Sequence, residues 1–149
     1  MRFLHKKKGK AMSKELTETF VNALRELENG GDVENMVPLF SEDSEIGNTA
    51  LHGAFSGHDG VREFWANYRA TFAELESEFR NHIVSDGVSA LEWETIGRSE
   101  KGEEIRYPGV SILENDGEKI TRFFAYFDPS DLGKQISGEK DGKGIEERR

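Results

Sequence analysis

The sequence predicts an α+β fold in one domain, and three observations carry that prediction. Apolar residues recur at helical spacing only in the first half of the chain. They alternate with a period of two from Leu75 onward, and the alternating stretches are joined by short glycine-containing turns. Short turns force sequential strands to pair antiparallel, and separating helices from strands distinguishes this class from the βαβ pattern of parallel sheets. A length of 149 residues suits a single domain able to bury a core without metals or disulfides.

Three N-terminal helices are expected. In residues 13–29, Leu16, Phe20, Ala23, Leu24 and Leu27 form one apolar face, Ser13 is placed to cap, and Gly30-Gly31 stops the helix. Asp32 is placed to cap a second, short helix carrying Met36, Val37, Leu39 and Phe40. Pro38 lies inside it and removes a backbone donor, so this helix should be kinked or irregular. Residues 44–49 read as a strand and 50–57 as a loop or short hairpin anchored by Phe55. The third helix, residues 59–72, has the strongest pattern, with Val61, Phe64, Trp65, Tyr68 and Phe72 in a single stripe. Four long strands follow at 75–84, 88–98, 104–114 and 118–128, separated by Ser85-Asp86-Gly87, residues 99–102 and Asn115-Asp116-Gly117. In the last, Phe123, Ala125 and Phe127 take one face and Phe124, Tyr126 and Asp128 the other. Both faces are aromatic, so the one turned away from the helices needs a cover, which points to a homodimer.

Composition narrows the function. Residues 1–14 carry six cations and no acid, whereas residues 15–132 carry 9 Lys and Arg against 25 Asp and Glu. A domain this acidic repels phosphate backbones, which argues against nucleic acid. With no cysteine, thiolate metal sites and a cysteine nucleophile are excluded. No apolar run reaches the ~18 residues of a membrane span, and the first twelve residues lack the apolar core of a signal peptide. The expectation is a cytoplasmic protein with a basic tail over 1–12, in which Met12-Ser13 also reads as an alternative start, a domain over 13–132 and a polar tail over 133–149.

Recognised catalytic signatures are sparse. His5, His52, His58 and His82 never pair at the i, i+4 spacing of a helical zinc site, and neither a nucleophile elbow nor a dinucleotide-binding glycine motif is present, so no metal and no cofactor are expected. Glu92 and Glu94 share one strand face and read as surface charges within reach of Arg98, Arg106 or Arg122. Asp128, just before Pro129, reads as a turn residue.

Five local phrases, in order, resemble the SnoaL-like branch of the nuclear-transport-factor-2-like superfamily: Leu39-Phe40-Ser41-Glu42-Asp43, the run Gly57-His58-Asp59-Gly60-Val61-Arg62-Glu63-Phe64-Trp65, Glu92-Trp93, Asp116-Gly117-Glu118-Lys119-Ile120 and Tyr126-Phe127-Asp128. The resemblance spans about residues 16–132. It implies a cone in which a curved antiparallel sheet wraps the helices around an apolar pocket, commonly in homodimers, and a family range of ketosteroid isomerases, polyketide cyclases, epoxide hydrolases and dehydratases. Carried over residue by residue, it places Phe20, Gly109 and Asn48 where ketosteroid isomerases hold their Tyr and Asp groups. Ala125 and Ile46 fall where limonene-epoxide-hydrolase-like members hold an Asp and a Tyr, and only Asn48 of that set is retained.

Strand parity within that resemblance gives a pocket of Phe20, Leu24, Phe40, Ile46, Asn48, Phe55, Trp65, Tyr68, Leu91, Trp93, Ser111, Phe123, Ala125 and Phe127. Such a lining suits a small hydrophobic molecule fixed by Asn48, Tyr68 or Ser111. If chemistry occurs there, Tyr68 is the candidate acid, His52 or His82 the candidate base and Asn48 a further candidate, and Tyr68 is expected to meet Asn48. The functional expectation is a small-molecule-binding protein, with isomerase, cyclase or hydrolase activity open. The alternative is a noncatalytic dimeric interaction module using the sheet face.

Overall fold

A computed structural model of the chain describes residues 9–137. The expected tails lie outside the described residues at 1–8 and 138–149. Residues 9–12 and 133–137 are helical, so regular structure extends past the expected 13–132 at both ends.

Helix α1, Gly9–Glu28, buries Phe20, Val21, Ala23, Leu24 and Leu27 along one face. Ser13 lies inside it and is not its cap. Its buried Oγ accepts from the Gly87 N–H at 3.0 Å and from the Asn115 amide at 3.1 Å, docking the helix on two strand ends. The helix ends as its glycines predict: Gly31 donates to Glu26 at 2.8 Å, and Gly30 adopts φ +94°. Asp32 caps by accepting from the Glu34 N–H at 2.9 Å, but the expected short helix is two single 3-10 turns, Val33–Asn35 and Val37–Leu39, the second opened by Pro38.

Strands β1 (Phe40–Asn48) and β2 (Phe55–Ser56) precede helix α2 (Gly57–Ala70), which buries Val61, Phe64 and Trp65. Strands β3 (Glu74–Ser85), β4 (Val88–Arg98), β5 (Glu104–Asn115) and β6 (Ile120–Tyr126) follow, then helix α3 (Pro129–Ser137). Two α-helices and two 3-10 turns therefore stand where three N-terminal helices were expected, and α3 falls partly in the expected tail. Asp128 caps α3, accepting from the Ser130 and Asp131 N–H groups at 3.0 and 3.1 Å.

The six strands form one sheet in the order β2-β1-β6-β5-β4-β3. It is mixed, not wholly antiparallel, because β1 runs parallel to β6. The turn argument covers only sequential strands; β1 reaches β6 across the rest of the domain, and no turn sets its direction. Helix α1 packs on β3 and β4, α2 on β1 and β2, and α3 on β5. The opposite face carries surface pairs, Glu94 with Arg106 at 3.1 Å and Glu92 with Asn81 at 2.6 Å. Among the described residues no helix is long and apolar enough to cross a membrane.

Candidate functional site

Sheet register builds the floor of the site. Asn48 is paired with Ala125, Ala125 with Ser111, and Ser111 with Leu91, so four strands contribute one row on one face. The small Ala125 leaves room between Asn48 and Ser111. A parallel row carries Phe79, Trp93 and Gly109, and the next carries Ser77, Thr95 and Tyr107. A Cβ on Gly109 would stand 2.4 Å from the Trp93 indole, so the glycine is what lets the indole lie across β5. From there Trp93 Nε1–H donates to Ser111 Oγ at 2.9 Å.

The helices close the other sides. Phe20 and Leu24 come from α1, Phe64, Trp65, Asn67 and Tyr68 from α2, with Thr71 and Phe72 just after it, and Leu132, Gly133 and Ile136 from α3. They enclose a cavity of about 330 Å³. Much of its wall is aromatic, with edge contacts such as Phe64 on Trp65 at 4.8 Å and Trp65 on Tyr68 at 5.4 Å between ring centroids.

Of the expected pocket residues, Phe20, Leu24, Asn48, Phe55, Trp65, Tyr68, Trp93, Ser111, Phe123, Ala125 and Phe127 line this cavity. Phe40, Ile46 and Leu91 do not. They are fully buried core, Phe40 and Ile46 on β1 beneath α2 and Leu91 on β4 beneath α1. His52 and His82 are exposed and outside the lining. The expected meeting of Tyr68 with Asn48 does not occur. Asn48 Oδ1 accepts from the Ala50 N–H at 2.9 Å, whereas the Tyr68 hydroxyl donates to Glu28 Oε2 at 2.7 Å.

Glu28 was not anticipated. It is buried at the end of α1 and also accepts from the Ser77 N–H at 2.8 Å and the Ser77 hydroxyl at 2.6 Å. Ser77 in turn contacts Thr95 Oγ1 at 2.7 Å. Its sequence signal is its phase: Glu28 falls four residues after Leu24 and eight after Phe20, on the buried stripe. Burial, then the nearby Glu28 charge, pushes the Tyr68 phenol well above its ordinary value. Burial likewise raises Tyr107. Both phenols therefore keep their protons at neutral pH. Among the described residues no group of three or more His, Asp or Glu side chains is placed to hold a metal ion.

Comparison with known proteins places this geometry. A SnoaL-like domain model matches residues 21–123, while no curated protein matches the chain. Three solved structures illustrate the fold. TerC co-crystallized with polyporic acid aligns with TM-score 0.74 at 19% identity, covering 85% of this chain and 98% of its own. A protein of Jannaschia sp. CCS1, assigned as a SnoaL-like polyketide cyclase, aligns with TM-score 0.76 at 14% identity over 87% and 96%. An epoxide hydrolase of the LEH-like type from M. tuberculosis aligns with TM-score 0.65 at 16% identity over 92% and 98%. At these identities the likeness is one of fold. The family match covers most of the chain, from within the first helix into the last strand, and on that ground the chain belongs to the SnoaL-like domain family.

Proposed function

We propose that the protein binds a small, largely apolar molecule in this cavity. The observation that supports it most directly is the open volume of about 330 Å³ inside an aromatic wall. Trp65, Trp93 and Phe127 border the space without filling it, and a scaffold domain has no use for such a void, since interiors otherwise pack to crystal-like density. Relatives named for polyketide cyclisation and epoxide hydrolysis bring cyclase and hydrolase activities within the same proposal. In this chain such chemistry would fall to Tyr68, held from behind the lining by Glu28, because His52 and His82 stand outside the lining. The Tyr68 proton is already committed to Glu28, which favours binding ahead of catalysis.

Both tryptophans of the chain line the cavity, so their fluorescence reports occupancy directly. Titration with naphthalene derivatives should quench or shift that signal, and Ala125→Phe, which fills the floor, should abolish the response while the circular dichroism is retained. An unchanged response in Ala125→Phe would refute the site.

A second reading, a dimeric interaction module, draws on the outer sheet face. Register aligns Ile83, Ala90, Ile112 and Phe124 in one row, with exposed Val110 and Tyr126 beside it. We propose that a second copy covers this face, on which Ile83, Val110 and Tyr126 stay exposed among the described residues. Sedimentation at micromolar concentration should give a dimer, and Tyr126→Glu should give a monomer. A wild-type monomer refutes this part alone.

A further inference from the structure

Resting on the binding proposal, we infer that the cavity selects a ligand by hydrogen-bond polarity: a hydroxyl or N–H donor at the Tyr68–Thr95 end, a carbonyl-type acceptor at the Ser111–Asn48 end, and a flat apolar body between them. The inference comes from counting hydroxyl protons. Glu28 takes the protons of Tyr68 and Ser77. Ser77 has only one, so its 2.7 Å contact with Thr95 has Thr95 as donor. The protons of Tyr68, Ser77 and Thr95 are thus all directed toward Glu28, and these cavity-lining oxygens offer the interior only lone pairs.

The other end has the reverse polarity. Ser111 Oγ accepts from the Trp93 indole, and that is its one hydrogen bond among the described residues, so its own proton is free to donate. Across Ala125, Asn48 has its carbonyl oxygen occupied by the Ala50 N–H, which leaves its amide protons as the available group. Tyr107, in register with Thr95, and Ser111 are four residues apart on β5, a span of roughly 13 Å. The Trp93 indole lies between the two ends, a flat apolar surface for a bicyclic ring system.

Four compounds separate the terms: 6-acetyl-2-naphthol, 6-ethyl-2-naphthol, 2-acetylnaphthalene and 2-ethylnaphthalene, each titrated calorimetrically into the full chain. The acetyl compounds should bind about 5–10-fold tighter than their ethyl counterparts, and the naphthols should exceed their parents by a similar factor, the worth of one hydrogen bond each. Ser111→Ala should erase the acetyl preference and keep the naphthol preference. Equal binding of acetyl and ethyl compounds to the unmodified protein overturns the inference without the variant being needed, as does an acetyl preference that survives in Ser111→Ala. Binding of all four with no preference leaves the cavity reading standing and overturns only the polarity. Binding of none overturns both.

Discussion

Replacing Tyr68 with Phe isolates one link in the Glu28 cluster. The ring keeps its edge contacts with Trp65 at 5.4 Å and Phe72 at 6.2 Å, so the change removes an oxygen and little packing. That oxygen donates to a buried carboxylate at 2.7 Å. A hydrogen bond to a charged group is worth about 1.5–3 kcal/mol, and Glu28 keeps two donors from Ser77, so the expected loss is about 2 kcal/mol. For a domain of this size that is a fall in Tm of roughly 6–10 °C. Urea unfolding followed by tryptophan fluorescence should show a lower midpoint at unchanged slope. The decisive measurement is the cycle with Glu28→Gln: Tyr68→Phe should cost at least about 1 kcal/mol less in that background. A loss under about 0.5 kcal/mol, or strict additivity with Glu28→Gln, would mean that the pair does not interact as described.

Three further outcomes are expected. Gly109→Ala places a methyl 2.4 Å from the Trp93 ring and 2.7 Å from the Tyr126 carbonyl, so it should cost about 1–3 kcal/mol and shift the tryptophan emission; an unchanged spectrum and stability would contradict the close approach. Gln135→Ala removes the paired bonds to the Arg106 N–H and carbonyl, at 2.8 and 3.0 Å, that hold α3 over the cavity, and amide exchange should accelerate within residues 129–137 while the β4 amides stay protected. Asp116 accepts from the Lys119 and Glu118 N–H groups, which hold its carboxyl below its ordinary value. Its contribution is therefore present above the unfolded carboxylate pKa and lost as pH falls through the lower folded value, so the stability gap between wild type and Asp116→Ala should narrow in acid.

What was legible in the sequence was periodicity. The stripe from Val61 to Trp65 and the alternation through Leu91, Trp93 and Thr95 report burial directly, and β4 matches its expected bounds residue for residue. Parity alone cannot tell a wall from a core, because Ile46 and Asn48 share a face while a helix covers one and not the other. The parallel pairing of β1 with β6 is a long-range contact, on which no local signal bears. Helix α3 did carry a signal: an Asp cap, Pro129 at the first position, and Leu132 with Ile136 four apart. The glycine- and lysine-rich composition that follows obscured it.

Glu28 escaped sequence reading for a deeper reason, which also bears on the ligand selection proposed above. It sits in the last turn of α1, where the helix dipole disfavours an anion by about 0.3–1 kcal/mol, and it is buried besides. Every local rule argues against a carboxylate there, and only three donors from β3 and α2 make it tolerable. The residue that turns the Tyr68, Ser77 and Thr95 protons away from the cavity is thus also the one that ties two helices to the sheet. Removing it would leave Tyr68 and Ser77 seeking acceptors inside an apolar wall, so a change of polarity at this end costs stability. Ser111 and Asn48 carry no such burden: their protein partners are one indole N–H and one backbone N–H, each on the same sheet face or the same turn. On the proposed ligand binding, new preferences should therefore arise at the Ser111–Asn48 end, where substitutions come at small cost to the fold, while the Glu28 end stays fixed by the stability it supplies.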